Sequence, residues 1–116
     1  RLGVCDVGQA LVVQNGRVLA IEAAEGTLEM LVRSRGLIDR GGGTAVFLKM
    51  KKNGQDTRLD TPFIGLETLT TALDAGIHVL AIEAGAVMLA DGVQSMSDYC
   101  SENQLTFVGI SPEVYL

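Results

Sequence analysis

Apolar residues fall into short blocks along the chain, separated by turns rich in glycine. "QALVVQNGRVLAIEA" (9–23) places two β-branched runs on either side of Asn15-Gly16, the dipeptide suited to the positive φ angles of a type I′ turn, and predicts a β-hairpin. "EGTLEMLVRSRGLIDR" (25–40) then shifts to helical spacing, with Leu28, Leu31, Val32 and Arg35 on one stripe, Thr27 as cap and Glu29 in the first turn. Gly41, Gly42 and Gly43 end that element and read as a linker or hinge.

"TAVFLKM" (44–50) is apolar nearly throughout and predicts a central strand. "GLETLTTALDAG" (65–76) predicts a second helix stopped by Gly76. "IHVLAIEA" and "AVMLA" predict two strands around Ala84-Gly85, and "DGVQSMSDYCSENQ" predicts a third helix with Asp91 as its cap. "LTFVGI" (105–110) is a last strand. Strands and helices alternate after the hairpin. The expected fold is therefore α/β: a mixed sheet with an N-terminal β-hairpin and about three helices packed on it. "VLAIEAAEG" (18–26) echoes "VLAIEAGAV" (79–87), which fits either duplicated strand units or two similar buried strands that end in Glu-Ala.

A length of 116 residues suits one domain spanning 1–116, and 47% apolar residues mark a globular chain. The net charge of −5 argues against a nucleic-acid partner, because phosphate neutralisation needs a basic face. No apolar run approaches the roughly 20 residues of a membrane span, and no signal peptide is visible. Cys5 and Cys100 stand far apart, as expected of reduced cytoplasmic thiols. His78 is the only histidine, so a histidine-rich zinc site is excluded. A bound metal would be held by carboxylates, which favours magnesium.

Charge is concentrated in "KMKKNGQDTRLDTP" (49–62). Asp56, Arg58 and Asp60 are spaced i, i+2, i+4 and share one face of an extended chain. Two aspartates flanking an arginine suit a metal ion beside an anion, with the guanidinium forked onto phosphate oxygens. Lys49 and Lys52 lie upstream of the Asn53-Gly54 turn, and Gln55 adds a polar contact. Such a set fits phosphoryl transfer or phosphoanhydride hydrolysis. A plainer reading is a row of solvated ion pairs with no chemistry.

Glu22, Glu25 and Thr27 form a second candidate group, at a strand end and a helix entry where anions gather. They read equally as an ordinary helix start with an exposed edge glutamate. Glu83 occupies the corresponding place after a later strand, and His78 reads as structural. Met50, Met88 and Met96 read as core fillers. The glycine triplet is not a phosphate loop, since no Gly-Lys-Ser/Thr follows it.

"VVQNGRVLAIEAAEGT", "FLKMKKNGQDTRLDTPFIG" and "GIHVLAIEAG" occur in that order. Together they resemble the C-terminal domain of the UDP-2,3-diacylglucosamine pyrophosphatase family of the lipid A pathway, which is distinct from the calcineurin-like one. The middle stretch is similar to the family's Lys-x-x-Lys-Pro-Gly-Gln-Asp-x-Arg-x-Asp-x-Pro through Lys49, Lys52, Gly54, Gln55, Asp56, Arg58, Asp60 and Pro62, with Asn53 in place of proline. The resemblance implies a magnesium-dependent hydrolase that releases UMP from UDP-2,3-diacylglucosamine, working with an N-terminal domain absent from this chain. By the same likeness, Asp56 and Asp60 are expected to bind metal or activate water. Lys49, Lys52 and Arg58 are expected on the diphosphate, with Gln55, Glu22, Glu25 and Thr27 as further substrate contacts. A cytoplasmic protein at the inner membrane surface is implied, with room for a homo-oligomer. The alternative is a lipid- or phosphate-binding, or oligomerising, module of the same fold without catalysis.

Overall fold

The structure is a computed structural model of the chain, described for residues 10–50, 63–84 and 87–110. It begins with the predicted hairpin. Strands β1 (Ala10–Gln14) and β2 (Arg17–Ile21) pair antiparallel around Asn15 and Gly16, whose φ angles of 55° and 75° are those the turn demands. Helix α1 (Thr27–Ser34) follows, then β3 (Ala45–Lys49), a two-residue strand β4 (Phe63–Ile64), α2 (Leu66–Ala75), β5 (Val79–Glu83), a two-residue β6 (Met88–Leu89), α3 (Val93–Glu102) and β7 (Thr106–Ile110).

The main sheet has the order β2-β1-β3-β5-β7. β3 is central, as its apolar sequence predicts. It pairs antiparallel with β1 and parallel with β5, and β5 pairs parallel with β7. Parallel pairing appears wherever a helix supplies the crossover, so the sheet is mixed and the fold is α/β.

One face of the sheet carries the core. Val12, Phe47 and Leu80 lie side by side in register on that face, fully buried. Met30 and Leu31 of α1, Leu69 and Ala72 of α2, and Met96 and Cys100 of α3 complete the core cluster. Burying a side chain the size of Phe47 contributes roughly 1.5–3 kcal/mol relative to leaving it in water.

Several expectations shift. The buried stripe of α1 is Met30, Leu31 and Ser34, while Val32 is 58% exposed and Arg35 faces solvent, paired with Asp74 at 3.0 Å. Met96 fills the core as expected, but Met88 is 62% exposed and Met50 only half-buried. The predicted strand at 86–90 shortens to β6 and leaves the main sheet, pairing with β4 in a separate ribbon. β2, one of the two echoing strands, is a largely exposed edge, whereas β5 is internal. Far from hinging freely, the glycine triplet is tied down. Gln14 Nε2 donates to the carbonyls of Asp39 and Gly43 at 2.7 Å each, and the Gly43 amide donates to Asn15 Oδ1 at 3.2 Å.

Candidate functional site

β2, β3, β5 and β7 all run the same way, so their carboxyl ends share one edge of the sheet. Helices that follow β2 and β3 start from that edge, and a cavity of about 610 Å³ opens there. Gly26 and Thr27 at the start of α1, Lys49 at the end of β3, Phe63, Gly65 at the start of α2, and Asp91 line it. The carboxyl edge of a parallel sheet is where α/β folds bind ligands, because helix N-termini and the loops that follow strands converge there.

Lys49 is the unusual residue. It points to the helix side of the sheet and is only 5% exposed. Its Nζ donates to Thr27 Oγ1 at 2.8 Å, and Thr27 Oγ1 donates in turn to Glu22 Oε1 at 2.6 Å. Burial pushes the Lys49 ammonium below the ordinary lysine value, and the Glu22 carboxylate opposes that shift. Lys49, Glu22 and Thr27 come from two stretches that the sequence presents as separate candidates. The fold joins them, since α1 begins just after β2 and the end of β3 comes alongside its first turn.

Thr27 does not cap α1. Gly26 holds the N-cap place at φ 91°, no side chain caps the helix, and the Thr27 hydroxyl is committed to Glu22 and Lys49. Glu25 also differs from expectation, being taken up by Arg33. Arg33 Nε and Nη2 reach its two carboxylate oxygens at 3.1 and 3.0 Å, and this guanidinium holds the Glu25 carboxyl below its usual range.

Asp91 does not cap α3 either, where Gly92 occupies the N-cap position at φ 85°. Its Oδ2 instead accepts the amide of Leu66 at 2.7 Å and so caps α2. Phe63, the start of α2 and this use of Asp91 are site features that the sequence reading passed over. The only signal for them was the helix start directly after "DTPFIG".

Lys52, Gln55, Asp56, Arg58 and Asp60 lie outside the described residues. Their segment leaves β3 at Lys49 and returns at Phe63, and both of these residues line the cavity. Among the described residues, no group of three acidic, histidine or cysteine side chains could hold a metal ion. No described helix is long and apolar enough to cross a membrane.

A family model described as the LpxI C-terminal domain matches residues 1–108. The chain belongs to this family. It is also 36% identical, over 97% of its length, to the UDP-2,3-diacylglucosamine pyrophosphatase LpxI of Caulobacter vibrioides. The match spans 41% of that relative, so the chain corresponds to less than half of it. In this chain Lys49 and Thr27 give the cavity a polar floor, with Glu22 accepting from Thr27, and Phe63 supplies an apolar wall.

Proposed function

We propose that this chain is the C-terminal domain of a UDP-2,3-diacylglucosamine hydrolase of lipid A biosynthesis, and that it acts with an N-terminal domain to release UMP and the diacylated glucosamine 1-phosphate. The observation that carries the reading is the buried Lys49 at the floor of a cavity, in the position from which the "KMKKNGQDTRLDTP" motif departs. A lysine kept this far from water stabilises an anion strongly when one arrives, because screening there is weak. In this reading Lys49, Lys52 and Arg58 hold the diphosphate, and Gln55 fixes its orientation. The apolar Phe63 wall suits a lipid-linked substrate.

Magnesium suits a site built of carboxylates. Of the described carboxylates that line the cavity, Glu25 is engaged by Arg33 and Asp91 by the α2 amide, while Glu29 and Glu67 stand at the first turns of α1 and α2. By the likeness to the family motif, Asp56 and Asp60 are the hard oxygen ligands assigned to the ion. When bound, the ion would neutralise phosphate oxygens and make water a better nucleophile. We place the whole protein in the cytoplasm at the inner membrane surface, where its substrate would be met.

The test is UMP release from UDP-2,3-diacylglucosamine by the full-length protein, with and without magnesium. Asp56→Ala and Asp60→Ala should each lower kcat on the order of 100-fold or more. Release that neither mutation nor chelation changes would return the motif to a row of surface ion pairs.

A further inference from the structure

Lys49, Thr27 and Glu22 form a chain of two hydrogen bonds, of which Lys49 and Thr27 line the cavity. An ammonium can only donate and a carboxylate can only accept, so the hydroxyl between them has one stable orientation. Thr27 accepts from Lys49 at 2.8 Å and gives its own proton to Glu22 at 2.6 Å. Among the described residues the ion pairs are Arg33–Glu25 and Arg35–Asp74, so Lys49 and Glu22 meet through the hydroxyl and not directly. This spacing matters. A direct ion pair would neutralise the ammonium with a carboxylate, whereas the hydrogen bond to a neutral hydroxyl does not. The lysine stem would otherwise sample many rotamers, and here its tip is held next to the first turn of α1.

We propose that Thr27 is a positioning residue, bonded between Glu22 and Lys49 so that the Lys49 ammonium is fixed as the anchor for a phosphate group of the substrate. The inference rests on the reading above that the cavity takes a diphosphate. It gives Thr27 and Glu22 a different task from substrate contact, since they act through Lys49.

The experiment uses the full-length protein labelled with ¹⁵N-lysine, and inorganic pyrophosphate as the probe. Lys49→Met identifies the Lys49 ammonium resonance by its loss. Thr27→Val keeps the shape of the side chain and removes the hydroxyl, while Thr27→Ser keeps the hydroxyl. In the wild type and in Thr27→Ser, the Lys49 ammonium protons should exchange slowly and their signal should move when pyrophosphate is added. In Thr27→Val exchange should accelerate, and pyrophosphate affinity should fall about 10-fold or more, with Thr27→Ser within about threefold of wild type. Equal affinities in all three proteins would overturn the proposal, as would an ammonium signal indifferent to Thr27→Val, or a lack of pyrophosphate binding in the wild type. If binding depends on Thr27 in this way but no UMP is released from the nucleotide lipid, the positioning role stands and the proposed reaction falls.

Discussion

Lys49 carries a charge to a place that does not favour it. Burial lowers its proton affinity below the ordinary value of 10.5, and the Glu22 carboxylate, one hydroxyl away, offsets only part of that. A residue kept at a cost to stability is one whose removal should help the fold and harm the site. Lys49→Met has similar length and no charge, and Thr27 can still donate to Glu22. The variant should be at least as stable as wild type, by about 1 kcal/mol where the desolvation cost is fully relieved, while its pyrophosphate affinity collapses. The pH dependence has a definite sign. Below the lowered native value both folded and unfolded wild type keep the proton, and the full cost is present. Between that value and the ordinary one the native state releases its proton first, so wild-type stability rises with pH. The gap between Lys49→Met and wild type, measured from urea midpoints, should therefore be widest near neutrality and narrow toward pH 10.5. A gap that widens as pH rises would mean that the Glu22 attraction outweighs burial.

At the level of elements, α2 depends on a residue far along the chain. Asp91 Oδ2 accepts the Leu66 amide at 2.7 Å, and a Cβ added at Gly65 would meet that same oxygen at 2.6 Å. The Gly65 backbone, at φ −142°, suits any residue, so only the approach of the carboxylate requires glycine here. Asp91→Ala should cost about 1 kcal/mol through loss of the cap. Gly65→Ala should cost a similar amount by expelling Asp91, and the double variant should cost little more than either alone, because both remove one contact. Additive losses in thermal unfolding would show that Gly65 has a separate role. This cap also shows what a sequence reading misses. Asp91 stands immediately before a helix, which locally makes it a cap for α3, and nothing local says that it reaches a helix 25 positions earlier. The β4–β6 ribbon is not legible in the sequence because two-residue strands are too short to show any period. The spacing puts Val32 on the buried stripe because an eight-residue helix gives barely two turns with which to fix its phase. The hairpin was legible because Asn15-Gly16 is a purely local signal, and the C-terminal stop of α2 at Gly76 was legible for the same reason.

Across the whole molecule, the alternation of strands and helices was enough to predict a mixed sheet, because crossover helices dictate parallel pairing and a short hairpin dictates antiparallel pairing, and the apolar run of β3 was enough to put it at the centre. The joining of Glu22, Thr27 and Lys49 was not legible, since it depends on how far β3 extends beside the first turn of α1. The same geometry bears on what this chain does alone. Its cavity is floored by Lys49 and bounded by two helix starts, and the chain corresponds to only 41% of its Caulobacter relative. A hydrolase gains much of its rate from holding the reacting groups in place. On the proposed reading this chain supplies only part of the surrounding wall, and the loss of fixed geometry carries effects that reach several powers of ten. We therefore expect the chain expressed alone to bind pyrophosphate through Lys49 and to release UMP at least about 100-fold more slowly than the full-length protein. Adding the remaining portion as a separate polypeptide should restore part of the rate. Comparable rates from chain and full-length protein would mean that all of the catalytic groups reside in these 116 residues. In that case the cavity at the carboxyl edge of the sheet would be the whole active site and not one wall of it.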